Sequence, residues 1–587
     1  MPLLAGASGI ALAVAFPIAF PIARTAELDP HGHLEWLAWV GLVPLLAAID
    51  RARTWWRAGA AGLLAGAIFG LLLTYWLPAG MAVFGFRSRA FCLGLWLLVS
   101  GLIVGLHWGL AATLTFVVRK GLGWRYWKHI PFTWAATELS RSYVLRGFAW
   151  GNLGYSQARH GSVSQLAAFG GVYLVAAFLV FVAAVLFEAG AAVVRREPIP
   201  LGALSGGVAV VAAVLGFGGL RQVALRRELE HAPVMRVAAV QLNLPHQQKG
   251  RTPSADILNR LLPLTVEADR RGADLVVWPE TAFPGMLPSS LETFTDVPGW
   301  PTDSFRQAHV LVGAMTFARS STDHGQLEII NGALLVTPSH EVVGRYSKQR
   351  LVPFAEYRPV PAGRTRALPV TAGSSGARQA DPLTLTLKGG GRAKLATLIC
   401  SDAYVPAIAR AQARSDPDLF VVISNEAWSG RTSMPYQAQA MMRVRAVETG
   451  KALVRASYSG PSAVLLPTGE VGQGALPVAA VKDGADVESS LLFADVPRQQ
   501  GETVYTQIGD VFAWAAAFTA LALVRAALIR GQTEKKRDSP QLIWKSPLGQ
   551  CCSRRERRRS LPAALFGNDS TMSILFGILY ALSRSRQ

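Results

Sequence analysis

The chain has 587 residues, 51% hydrophobic and only 16% charged, with a formal net charge of +20. A soluble protein of this size would carry about a quarter charged residues, so a wholly soluble protein is excluded and a membrane-embedded portion is expected. The basic excess matches the Lys/Arg bias of cytoplasmic loops, and no nucleic-acid-binding motif accompanies it, so nucleic acid is not an expected partner. The four cysteines, Cys92, Cys400, Cys551 and Cys552, give neither a disulfide framework nor a CxxC metal signature. Cys92 lies in an apolar run and reads as a small packing residue.

Apolar runs near the spanning length of about 20 residues are dense before residue 220. They predict helices near 2–23, 34–49, 57–78, 91–118, 164–189 and 199–219. A weaker stretch at 130–147 is interrupted by Glu138, Arg141 and Arg146. Intramembrane charges of this kind face a bundle interior or water, and the stretch is counted as a seventh span. The first run carries Pro17 and Pro21 and no clear small-residue cleavage site, so a retained helix is expected rather than a signal peptide. With the N-terminus inside, the inner loops "DRARTWWR", "RKGLGWRYWKH" and "VVRREP" and the later "EKKRD" hold most of the loop Arg and Lys. That bias predicts that the region after the seventh helix lies outside the cytoplasm.

That region changes texture. Short apolar runs such as "VMRVAAVQLNL", "ADLVVWPE", "VLVGAMTF", "KLATLIC" and "DLFVVISN" alternate with helix-like segments at 254–271 and 435–450. Each run has strand length and ends on turn or polar residues, which predicts an α/β sandwich. The expected division is a membrane bundle of about seven helices at 1–220, an extracytoplasmic domain at 221–508, a final membrane helix at 509–530 and a tail at 531–587. The tail holds "SRRERRRS" and a ten-residue apolar run too short to span. It is expected to be mostly disordered and cytoplasmic, touching anionic headgroups.

Three predicted strand ends carry ionisable side chains: Glu280 after "ADLVVW", Lys348 and Glu356 in "GRYSKQRLVPFAEYRP", and Cys400 after "LATLI". Taken singly, each has an ordinary reading: a surface acid, a solvated lysine, an inert packed thiol. Together they supply one chemistry. A thiolate needs a nearby cation and a base to take its proton, and a lysine ammonium can hold a developing oxyanion.

Glu in "WPET", Lys in "YSKQRLVPFAEY", Cys after "LATLIC" and the following "SNEAWSG" resemble the nitrilase superfamily, with its Glu-Lys-Cys triad. The chain as a whole resembles the membrane-bound branch, the apolipoprotein N-acyltransferase family. "LEWLAWVGLVPLLAA", "GFAWGNLGYSQ", "SQLAAFGGVYLVAAFLV" and "ETVYTQIGD" look like that family's segments. The resemblance covers about residues 1–530 and not the tail.

The resemblance implies a polytopic α-helical bundle of about eight membrane helices carrying a nitrilase-like αββα sandwich. It implies a two-step acyl transfer without metal or cofactor. Cys400 would take an acyl group from the sn-1 ester of a phospholipid, phosphatidylethanolamine being the expected donor. The α-amine of a diacylated N-terminal cysteine on an apolipoprotein would then accept it. Glu280 would be base and then acid, Lys348 would hold the oxyanion, and Glu356 would orient both. A monomer in the bacterial inner membrane is expected, with "GRTSMPYQ" (430–437) as a mobile flap near the lipid. The chain departs from the family where Cys-Tyr-Glu becomes Cys400-Ser401-Asp402, and Asp402 is expected to keep a supporting carboxylate with shorter reach. "QLNLPHQQKG" also ends in Gly250 where the family tends to have Trp, and the usual "NNG" turn is "SYSG". The alternatives are a membrane-tethered amidase, a catalytically weak paralogue, and a transporter or sensor with a dead nitrilase-like domain.

Overall fold

The computed structural model of the chain describes residues 1–17, 34–86, 88–143, 148–249, 251–303, 305, 307–319, 327–353, 355–356, 382–430, 432–472, 474–477 and 488–537. The basic tail beyond 537, with Cys551 and Cys552, lies outside these residues, as do Gly250 and Arg146. A helix forms at each of the eight expected places, but the spans are not equal. Among the described residues, five helices are long and apolar enough to cross a membrane: Trp55–Leu73, Arg89–Leu122, Ala167–Arg195, Leu201–His231 and Val511–Thr533. Pro2–Val14 and Leu37–Asp50 are shorter. Ile130–Tyr143 has 14 residues, about 21 Å of helix at 1.5 Å per residue, which is less than the roughly 30 Å hydrocarbon core. The described residues thus give five helices of spanning length where about eight were expected.

The charges in that short helix point inward, as the cost of exposing them to lipid requires. Glu138 accepts from Trp134 Nε1 at 3.1 Å and from the Leu153 amide at 2.8 Å. Arg141 donates to the Trp150 carbonyl at 2.8 Å and to Asn152 Oδ1 at 2.6 Å. Both are buried, so the charges tie the helix to the loop after it.

The second half of the chain is built on two sheets. The first contains Val234–Gln241 (β1), Leu275–Val277 (β2), Met286–Pro288 (β3), His309–Arg319 (β4), Leu327–Val336 (β5) and Val342–Ser347 (β6). The second contains Leu383–Thr386 (β7), Arg392–Ile399 (β8), Leu419–Ser424 (β9), Leu453–Ser457 (β10) and Ala463–Leu465 (β11). Ser490–Pro497 (β12) returns to the first, whose order is β12-β1-β2-β4-β5-β6 with β3 beside β4. The second runs β11-β10-β9-β8-β7. Strand residues alternate between faces, and this sorts the core into layers. Val237, Val277, Leu311, Leu395, Val421 and Val454 meet between the sheets. Val240, Val276 and Val312 pack outward on Ile257 and Leu261 of the helix Ser254–Arg270. Leu398, Phe420 and Val422 pack outward on Ala409, Met442 and Ala446. The result is the expected αββα sandwich.

The helix Met434–Thr449 joins the two halves. Met442 and Ala446 face the second sheet, while Met434, Ala438, Met441 and Val444 belong to the core of the apolar bundle. A helix apolar on both faces is one buried on both sides. Gln437 is its polar lock: it donates to the carbonyls of Pro17 and Leu73 at 3.0 Å each. Its Oε1 accepts from Trp150 Nε1 at 2.8 Å and Trp76 Nε1 at 3.2 Å. The expected flap at 430–437 therefore looks different here. Ser433, Met434, Pro435 and Gln437 are buried and Tyr436 is half-buried, and the Ser433 amide donates to Tyr75 Oη of the bundle at 3.2 Å.

Candidate active site

Strands β8, β9 and β10 are mutually parallel, and β2 is parallel to β1 and β4. The candidate residues follow their carboxyl ends, where parallel sheets place ligand sites. Glu280 follows β2, Cys400 follows β8, Asn425 and Glu426 follow β9, and Tyr458 follows β10.

The expected residues converge. Lys348 Nζ donates to Glu280 Oε1 and to Glu356 Oε1, both at 2.8 Å. The Lys348 side chain is 2% exposed and that of Glu280 6%. Glu356 Oε2 also accepts from the Val352 amide at 2.7 Å, which closes the loop carrying it. Burial works against the charge on Lys348, but the two carboxylates outweigh it and hold its pKa well above the usual lysine range.

Cys400 opens a tight turn, 400–404, directly after β8. Its φ is +49°, a left-handed conformation that costs a non-glycine residue about 1–3 kcal/mol and clusters at functional sites. The thiol is buried, and burial followed by the Glu280 carboxylate pushes its pKa well up, while Lys348 pulls it down. The resting sulfur is thus a thiol, and attack requires a base to take its proton. Glu280 is the carboxylate whose charge weighs most on it.

Asp402, expected as a supporting carboxylate, bonds to β6, to the loop after it and to the end of β8. Its carboxylate accepts from Tyr346 Oη at 2.8 Å and from the amides of Arg350 at 2.6 Å, Gln349 at 3.1 Å and Ile399 at 3.2 Å. Burial raises its pKa to about 6, against the pull of Lys348 and these bonds. Asp402 therefore clamps the loop that carries Lys348 to the turn that carries Cys400. Ser401 Oγ adds a bond to the Arg350 carbonyl.

Two contributors escaped the sequence reading. Asn331 Nδ2 donates to Glu280 Oε1 at 2.7 Å and to Glu356 Oε1 at 3.1 Å; a buried polar residue within an apolar strand was the available signal. Gly313 lies under Glu280. A Cβ there would sit 2.1 Å from the Pro279 oxygen and 3.1 Å from Glu280 Cα. A glycine inside a strand marks such close backbone approach.

Aromatic side chains connect the thiol to the bundle. The Tyr404 phenol lies beside Cys400, and its ring meets Trp150 edge-on at 5.2 Å. Trp428 contacts Trp76 at 5.8 Å and Phe84 at 5.5 Å. A cavity of about 1080 Å³, bordered by Arg159, Arg226, Tyr436, Arg443 and Glu470, includes none of Glu280, Lys348 and Cys400 in its lining.

A thiol at a strand end with a lysine clasped by two carboxylates, on an αββα sandwich seated against apolar helices, defines a membrane-held enzyme of the carbon–nitrogen hydrolase class. The family described as Carbon-nitrogen hydrolase matches residues 236–487, and the family described as Apolipoprotein N-acyltransferase N-terminal domain matches residues 8–185. The chain is 30% identical over 546 residues to the apolipoprotein N-acyltransferase of Geobacter metallireducens, covering 90% of this chain and 95% of that one. It is 31% identical over 545 residues to that of Caulobacter vibrioides, covering 89% and 93%. Among solved structures, an amidase from Nesterenkonia sp. aligns over 49% of this chain and 97% of its own at 21% identity, with a TM-score of 0.31. The chain belongs to the apolipoprotein N-acyltransferase family. It is a multi-pass membrane N-acyltransferase.

Proposed function

We propose that the protein moves a fatty acyl group from a membrane phospholipid to the α-amine of the N-terminal diacylglyceryl-cysteine of apolipoproteins. The sn-1 ester of phosphatidylethanolamine is the donor. Cys400 sulfur attacks the ester carbonyl while Glu280 takes the thiol proton, and Lys348 neutralises the oxyanion. The ester C–O bond breaks, Glu280 returns the proton to the leaving alkoxide, and lysophospholipid departs from a thioester. The acceptor amine then attacks the thioester carbonyl, its proton passes through Glu280 to the sulfur, and an amide results. Splitting one amide formation into two exchanges lowers each barrier. The observation that carries this reading is the Glu280–Lys348–Glu356 cluster beside a buried thiol.

The division into a bundle at 1–220, a catalytic domain at 221–508, a last helix at 509–530 and a tail at 531–587 belongs to the same proposal, as does a monomer in a bacterial inner membrane. An extracytoplasmic domain is supported by charge. The Leu73 carbonyl and the Val172 amide, at one end of their helices, bond to Gln437 and Glu448 of the sandwich. The opposite ends carry Arg51, Arg53 and Arg57, Arg119 and Lys120, and Arg195 and Arg196, the cytoplasmic pattern.

The test uses purified full-length protein, phosphatidylethanolamine and a diacylated lipopeptide. Lysophospholipid and a triacylated peptide should appear together, and Cys400→Ala should abolish both. Lysolipid with an unchanged peptide would make the protein a lipid hydrolase. Full turnover by Cys400→Ala would remove the assigned nucleophile.

A further inference from the structure

A second lysine reaches the site from the amino-terminal part of the sandwich. The short helix His246–Lys249 follows β1. Lys249 Nζ donates to Thr281 Oγ1 at 2.5 Å and lies 4.5 Å from the centroid of the Tyr458 ring. Thr281 is the residue after Glu280 and has φ +51°, a costly conformation for a β-branched residue. Asn425 Nδ2 also reaches Thr281 Oγ1, at 3.4 Å. Residues following β1 and β9 therefore hold this turn from two sides. No carboxylate forms an ion pair with Lys249 among the described residues; the acid whose charge it feels is Glu280.

We infer that Lys249 is a positioning residue for Glu280: its ammonium pins Thr281 and places a second positive charge beside the carboxylate that accepts the thiol proton. This rests on the proposed role of Glu280 as base. The other charged or titratable groups around Lys249 are His246 on its own helix and Tyr458, which in turn feels Arg260. Burial lowers the Lys249 pKa to about 8, with Glu280 opposing. The cation is present below that pH and lost above it, so the first half-reaction should slow as pH rises through this value.

The experiment is single-turnover release of lysophospholipid from phosphatidylethanolamine in detergent micelles by the full-length chain, from pH 6 to 10. Acceptor is omitted, which removes its own titrating amine. The wild-type rate should fall above about pH 8. Lys249→Met should be slower by about tenfold at pH 7, the scale of one neighbouring charge, and show no alkaline fall. Lys249→Arg keeps a charge that does not titrate in this range, so it should restore the rate at pH 7 and sustain it through pH 9. Thr281→Val should lower the rate and keep the alkaline fall. An unaltered alkaline limb in Lys249→Arg, or a wild-type rate in Lys249→Met, overturns the inference. A wild-type chain that releases no lysophospholipid overturns the donor reading instead. The same pH series is then read from alkylation of Cys400 by iodoacetamide, located by mass spectrometry, with the same ranking of variants expected and an equal rate in Lys249→Met overturning the inference.

Discussion

Two of the buried ionic clusters around the sandwich are built differently. In one, Lys348 sits between Glu280 and Glu356. In the other, Arg455 pairs with Glu426 at 2.7 Å, both side chains 0% exposed. The second is neutral, and its oxygens are occupied further: Glu426 Oε2 accepts from Ser424 Oγ at 2.9 Å and Ser457 Oγ at 2.5 Å. Arg455 Nη1 also donates to the Pro435 carbonyl at 3.0 Å, so this pair fastens the start of the helix that meets the bundle. The first cluster holds two acids against one base and abuts a thiol. A balanced pair whose carboxylate oxygens are both taken is architecture. A cluster with one spare negative charge beside a protonated nucleophile has somewhere for a proton to go.

Removing Lys348 tests this contrast hardest. Lys348→Met leaves Glu280 and Glu356 buried around one amide with no cation. Loss of the oxyanion partner should lower turnover by about 10³-fold, and the uncompensated charge should destabilise the fold by about 3–5 kcal/mol. Lysophospholipid release and thermal unfolding in one detergent measure the two. Turnover within a factor of ten of wild type would strip Lys348 of its role.

Arg455→Met should lose a similar 3–5 kcal/mol of stability. Turnover per folded molecule should stay within about threefold, since no oxyanion donor is removed. The double variant Glu426→Gln/Arg455→Met should recover most of the lost stability, because it no longer buries a bare charge. If it stays as unstable as the single variant, the pair is not the balanced anchor argued here. Glu356→Gln should have a smaller effect. It keeps the shape, drops the spare charge, and should slow turnover by about 10–100-fold with stability within about 1 kcal/mol of wild type. A loss as large as that of Lys348→Met would move Glu356 from orienting group to reacting group.

Much of the site was legible because its chemistry sits at strand ends. Glu280 and Cys400 follow apolar strands that pair in parallel, and Lys348 and Glu356 follow β6, which pairs antiparallel with β5. Asp402 was legible as a carboxylate but not as a clamp, because its four donors come from Tyr346, Gln349, Arg350 and Ile399, three of them over fifty residues away. Asn331 depends on the pairing that sets Gly332 opposite Ser347, which no local pattern encodes. In the bundle, hydropathy found the long helices among the described residues, but missed the short helix Leu77–Val83, in a stretch read as a loop, and did not show which helices would fall short of spanning. Ile130–Tyr143 ends where Arg141 and Glu138 find partners in the next loop, and only tertiary structure supplies those partners.

The finest test compares two glycines on neighbouring strands of one sheet. Gly313 of β4 lies against the backbone of Pro279 and Glu280, so a methyl group there must push either β4 or the turn bearing Glu280. The Phe283 amide donates to the Gly313 carbonyl at 3.0 Å, which ties the far side of the same turn to this residue and limits its retreat. Gly332 of β5 sits opposite Ala314, and its nearest contact for an added Cβ is the Tyr346 oxygen at 3.4 Å, an ordinary van der Waals distance. Gly313→Ala should cost about 1–3 kcal/mol, as overpacking does, and slow turnover about tenfold, because a shift of about 1 Å at a reacting group costs that much or more. Gly332→Ala, nearer to Lys348 along the chain and in the same sheet, should leave both quantities near wild type. Equal losses in the two variants would mean that the sheet tolerates no added volume anywhere near the site, and the particular seating of Glu280 on Gly313 would explain nothing.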